Sequence, residues 1–136
     1  MRLTSLADYA VLLMAAAARH SGDARLSATR LAEETGVPLP TAQKLAGRLA
    51  AAGLVETARG TGGGFRLTRL PHEISLADIV EAVEGPIALT ACVHENGQDC
   101  ALEGGCQVRP HMAAVNGAMR GALAGVSLSS LAEIKA

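Results

Sequence analysis

Residues 27–54 read SATRLAEETGVPLPTAQKLAGRLAAAGL, and the fold turns on this stretch. Ser27 offers a hydroxyl to cap a helix whose Leu31 and Ala32 turn inward while Glu33 and Glu34 meet water. Gly36 closes that helix as a C′ glycine. Pro40 and Thr41 open a second helix, Thr41 to about Ala52, with Leu45 and Leu49 inside and Lys44 and Arg48 outside, and Gly53 ends it. Two strand-like pieces follow, Leu54–Ala58 and Phe65–Thr68, on either side of Arg59-Gly60-Thr61-Gly62-Gly63-Gly64. Glycine at that density lets a backbone approach another surface closely. A helix, a turn, a helix and a glycine-tipped hairpin carrying Arg59, Arg66 and Arg69 is the order of a winged helix-turn-helix.

The flanks are consistent with that centre. Upstream, Thr4 or Ser5 caps a helix through Leu6, Tyr9, Ala10, Leu13 and Ala17, which ends near His20 at a Ser21-Gly22-Asp23 turn. Downstream, Ser75 to Val83 reads as a short amphipathic helix with Leu76, Ile79, Val80 and Val83 on one side. Gly85 to Gln107 has no periodicity and holds all three cysteines. Beyond Pro110, Met112, Val115, Met119, Ala122 and Val126 repeat at alternating steps of three and four, the spacing of a coiled-coil seam. The expected fold is mainly α with a small β-hairpin wing: a winged helix-turn-helix with a long C-terminal dimerisation helix. Its expected divisions are a DNA-binding domain over 1–84, a cysteine-rich loop over 85–107, and a dimerisation helix with a C-terminal tail over 108–136.

At 136 residues the chain has room for one core, and 49% apolar against 18% charged residues suits a globular domain. With one Phe, one Tyr and no Trp, that core must be built from aliphatic side chains and many alanines. Small side chains bury little area each, so a second copy of the chain is a natural source of stability. The net charge of −1 conceals a division. Residues 1–70 carry nine Lys/Arg against five Asp/Glu (+4), whereas 71–136 carry three against eight (−5). A basic first half points to a polyanionic partner. The apolar run from Ala10 to Ala18 is about half the roughly 20 residues a membrane span needs, and no export signal is legible, so no membrane and a cytoplasmic location are expected.

The second helix of a helix-turn-helix presents its N-terminal residues to base edges in the major groove. Thr41, Gln43, Lys44 and Arg48 have suitable chemistry, and Arg59 on the wing suits a phosphate. The competing reading makes them the solvated face of an ordinary helical domain. Cys92, Cys100 and Cys106 form C-x7-C-x5-C, without the tight pairs usual in zinc sites. That spacing leaves open an iron–sulfur cluster, redox-sensing thiols, or zinc. His94 and His111 flank the cysteines as possible nitrogen ligands, and Asp8 read alone is a solvated helix carboxylate. No paired carboxylates, Ser-His-Asp arrangement, C-x-x-C or nucleotide-binding loop stands out, so no enzyme is expected.

Several segments together resemble the winged-helix family of bacterial iron–sulfur regulators. They are Met1-Arg2-Leu3-Thr4-Ser5 with Asp8-Tyr9-Ala10, Gly53-Leu54-Val55, the wing Arg59 to Phe65, Ile79 to Gly85, and the three-cysteine loop. Leu6 to Val11 and Cys106-x-Val108-Arg109-Pro110 are most similar to the branch that regulates Suf cluster-assembly genes. The resemblance implies a homodimer on a near-palindromic double-stranded DNA operator, sensing iron, oxidative or nitric oxide stress. It implies Cys92, Cys100 and Cys106 as ligands of an iron–sulfur cluster, a [4Fe–4S] form being favoured over [2Fe–2S]. Asp8 from the partner subunit is the implied fourth ligand. In the Isc-type branch a His three positions after the third cysteine ligates, and Arg109 stands there in this chain. The same resemblance makes Gln43 a base-reading position, where the Isc-type branch has Glu.

Overall fold

Thr4 fixes where the first helix starts. Its Oγ1 accepts the amide of Ala7 at 3.1 Å, satisfying one of the free donors of helix α1, Ser5–Arg19. The computed structural model describes residues 4–20, 26–58, 64–87 and 109–133. Ala7, Ala10, Leu13 and Met14 of α1 are buried, and so are all four alanines from Ala15 to Ala18. The turn Ala15–Ala18 is thus enclosed all round rather than along one stripe. Alanine makes this possible, since it lets α2, α3, α4 and α6 all come against one helix.

Ser27 caps α2, Ala28–Thr35, accepting the Arg30 amide at 3.0 Å, and Gly36 closes it at φ +81°. The next helix, α3, spans Leu39–Ala51 and begins two residues before the expected Thr41. Pro40 stands in its first turn, where a missing N–H costs no hydrogen bond. Strands β1, Val55–Ala58, and β2, Gly64–Leu67, pair antiparallel with Glu56 opposite Arg66 and Thr57 opposite Phe65. Phe65, the chain's one phenylalanine, is buried. Its amide donates to the Leu26 carbonyl at 2.7 Å and its carbonyl accepts the Leu26 amide at 3.1 Å. The wing is thereby sewn to the residue just before the cap of α2.

A turn of 3₁₀ helix, Pro71–Glu73, leads to α4, Leu76–Glu84. A reciprocal cap starts α4: Asp78 N–H donates to Ser75 Oγ at 3.1 Å, and Ser75 N–H donates to Asp78 Oδ2 at 2.9 Å. Helix α5 spans Arg109–Ala124 and stops at Gly125. A short α6, Leu128–Leu131, follows and was not apparent in the sequence pattern. The segments leading into α4 and into α6 pair, with Leu76 N–H on the Val126 carbonyl at 2.8 Å and Leu128 N–H on the Ile74 carbonyl at 2.7 Å. Leu128 is fully buried and joins Leu13, Leu45, Leu49 and Ile79 in the core, which among the described residues holds no buried polar side chain.

The expected seam on the C-terminal helix is divided. Met112, Asn116, Met119 and Leu123 are half-buried on the side of α5 that faces α4, while Val115 is 52% exposed. Val126 lies beyond the helix, since the chain turns after Ala124.

Gly64 is the tightest point of the wing. It sits at φ +139°, and a Cβ there would lie 2.5 Å from the Leu26 carbonyl oxygen. Gly64→Ala is expected to cost ~1–3 kcal/mol, read as a lowered urea midpoint. Gly47→Ala, in α3 with open space around it, is expected to hold or raise that midpoint. Equal midpoints for the two variants would contradict this account of the wing root.

Candidate nucleic-acid interface and the start of the cysteine segment

Each residue of an α-helix turns about 100° from the last. Because Ala42, Leu45, Ala46 and Leu49 of α3 are buried, Gln43, Lys44 and Gly47 are left on the outer side. Gln43 and Gly47 line an open groove whose other walls are Thr29 at the start of α2 and Thr57 and Ala58 on β1, with Phe65 and Ala46 also lining it. The groove therefore joins the three parts of a winged helix-turn-helix that meet a duplex. Thr29 and Thr57, exposed hydroxyls in this groove, were missed from sequence. The signal for Thr29 was its place two residues after the Ser27 cap.

The cations are arranged less uniformly than the charge count implied. Lys44 and Arg30 are exposed and make no ion pair among the described residues. Arg66 is paired across the wing with Glu56 at 2.7 Å, and Arg69 lies 4.0 Å from Asp78. Exposed pairs of this kind add little stability, but they cancel part of the local positive field. Thr41 is half-buried in the first turn of α3 and does not line the groove. Arg48 is also half-buried, and its Nη1 donates to the Val83 carbonyl of α4 at 3.0 Å. Helical period alone placed Arg48 outside; the structure turns its guanidinium to a neighbouring helix. Arg59 lies outside the described residues.

Cys92, Cys100, Cys106 and His94 lie outside the described residues too, and among those described no group of three or more His, Cys, Asp or Glu is set to hold a metal ion. Asp8 is exposed in the first turn of α1, and its carboxylate makes no hydrogen bond or ion pair among the described residues. His111 is exposed in the first turn of α5.

Ile87, the last described residue before that segment, is held at both ends of its backbone. Its N–H donates to Glu81 Oε2 at 3.1 Å, and its carbonyl accepts Asn116 Nδ2 at 2.9 Å. Arg120 of α5 donates to the same Glu81, Nη2 to Oε1 at 2.7 Å and Nε to Oε2 at 3.3 Å, a two-pronged pairing. The Arg120 guanidinium holds the Glu81 carboxyl below the ordinary glutamate range; partial burial opposes this and the Ile87 amide assists it.

Comparison with known proteins agrees with this geometry and with the resemblance read from the motifs. A family model described as Rrf2, an iron-dependent transcriptional regulator, matches residues 3–134. Over 110 residues the chain is 39% identical to the HTH-type transcriptional repressor NsrR of Streptomyces coelicolor, covering 80% of this chain and 73% of that protein. Over 111 residues it is 36% identical to the HTH-type transcriptional regulator IscR of Photobacterium profundum, covering 82% of this chain. The chain spans 62% of that IscR, less than two thirds of its length. Among solved structures, CymR, the global cysteine regulator of B. subtilis, superposes with a TM-score of 0.76 at 24% identity, covering 100% of this chain and 99% of that one, a likeness of fold. These relatives are regulators rather than enzymes. The chain belongs to the Rrf2 family of iron-dependent transcriptional regulators.

Proposed function

We propose that this protein is a homodimeric DNA-binding regulator whose operator affinity follows the state of an iron–sulfur cluster, with Suf-type cluster-assembly genes as its targets. The observation that carries the reading is the groove in which Gln43 and Gly47 of α3 face Thr29 and Thr57. Gln43 has the amide that pairs with an adenine edge, and Lys44 beside it suits a phosphate. Thr41 and the wing's Arg59 complete the proposed contacts. Repression, the action in the name of the Streptomyces relative, is the direction we assign to it.

The donor set suits a cluster. Cys92, Cys100 and Cys106 supply thiolates, and Asp8, exposed and with its carboxylate unpaired among the described residues, would supply a carboxylate across a dimer interface. A cluster held there, with a non-thiolate ligand on one iron, would supply a centre that iron shortage, oxidant or nitric oxide dismantles; a [4Fe–4S] form fits four protein ligands. A dimer is supported by α5, which packs chiefly on α4 among the described elements and leaves Val115, Ala118 and Ala122 exposed along one side. A protein of this kind works in the cytoplasm, and no helix among the described residues is long and apolar enough to cross a membrane.

Anaerobically purified protein is expected to show visible absorption with stoichiometric iron and sulfide, and Asp8→Ala to lose the cluster or bind fewer irons. A colourless protein that resists reconstitution would refute the cluster and move its cysteines to zinc binding or thiol sensing. On a duplex selected from a random pool, Gln43→Ala is expected to lose ~1–3 kcal/mol and relax preference at one base pair. Lys44→Ala is expected to reduce the dependence of log affinity on log salt by about 1. Unchanged binding by both variants would refute the groove as the DNA face.

A further inference from the structure

Arg48 is the basic residue of α3 that does not behave as a surface cation. Its guanidinium reaches 35 residues along the chain to the Val83 carbonyl, in the last turn of α4. Carbonyls in that turn lack intrahelical donors, and a positive group there also meets the negative end of the helix dipole. The same short stretch is gripped from α5. Glu81 accepts both Arg120 and the Ile87 amide, and Asn116 holds the Ile87 carbonyl. Gly85, at φ +86°, turns the chain between the two grips. The last turn of α4 is therefore tied on one side to the helix that presents Gln43, and on the other to α5. In sequence, Ile87 and α5 bracket the segment containing Cys92, Cys100 and Cys106.

We infer that Arg48, with Glu81, Asn116 and Arg120, forms a polar relay that sets the seat of α3 according to the state of the chain beyond Ile87. Arg48 is a positioning residue in this scheme, not a DNA contact. Apolar packing of α3 on α4 is non-directional and tolerates sliding, whereas charge-assisted hydrogen bonds have fixed lengths and angles. A shift of Ile87 or α5 is thus passed to α3 as a shift of the Val83 carbonyl. The relay makes α3 one of two seatings whose balance an effector can bias. It rests on the cluster reading above for its signal, but not for its geometry.

Three measurements separate this role from a phosphate contact. Wild type, Arg48→Ala and Asn116→Ala are compared on the duplex selected from a random pool. First, the salt dependence of binding by cluster-free protein is expected to be unchanged in both variants. Second, amide exchange at Gly85 and Ile87 in cluster-free protein is expected to quicken in both, by about tenfold. Third, the ratio of affinities between cluster-loaded and cluster-free protein is expected to fall towards 1 in both, while visible absorption is retained. A salt slope reduced by about 1 in Arg48→Ala, with exchange at Gly85 and Ile87 unchanged, would make Arg48 a phosphate contact and overturn the relay. An unchanged affinity ratio in both variants would overturn it as well. Should Arg48→Ala not fold, Arg48→Gln, which keeps a donor without the charge, replaces it. If wild type holds no cluster, the function proposed above fails, and the first two measurements still decide the place of Arg48.

Discussion

The pair of backbone hydrogen bonds between Leu26 and Phe65 is the constraint on which the rest of the DNA-facing side depends. It joins a residue just ahead of α2 to a residue on the second wing strand, almost forty positions later. Two consequences follow at once. The hairpin cannot swing away from α2, and the groove between α3, Thr29 and Thr57 acquires fixed walls. The close approach requires that residue 64 have no side chain. A two-stranded hairpin alone is barely stable in water, so its rigidity comes from this third strand-like partner and from burial of Phe65.

Beneath that surface, α1 does the work that large aromatic residues do elsewhere. Its turn Ala15–Ala18 is alanine on every side and buried, and four other helices pack against α1. Close approach of backbones replaces bulky side chains, with little area buried per residue. The shortage shows at α5, which among its described side chains has none fully buried and one large apolar residue, Val115, in solvent. The second copy of the chain in the proposed dimer would cover it.

Much of this was legible in the chain because the signals were local. Ser27, Gly36 and Ser75 each act within four residues, and each begins or ends a helix where its chemistry says it should. The start of α3 was read two residues late because Pro40 looks like a boundary but is tolerated inside a first turn. The seam was extended to Val126 because a three-four repeat carries no record of where the backbone turns; Gly125 was the missed sign. Arg48 exposes a deeper limit. Helical period separates core from surface, but it does not separate solvent from a carbonyl on a neighbouring helix, which only the packing of α3 on α4 decides. Thr29 and Thr57 were missed for the same reason, since the groove they line exists only after the wing docks.

The proposed function requires that the cysteine segment and the groove on α3 be thermodynamically coupled. Coupling between two sites typically changes affinity by roughly 5–150-fold. Its most direct measurement takes one anaerobic preparation of the unaltered protein and determines operator affinity at fixed salt before cluster removal, after removal, and after reconstitution. The expected result is a change of at least about fivefold on removal, restored on reconstitution. Equal affinities in all three states would contradict the claim, leaving a DNA-binding protein whose cysteines do something else.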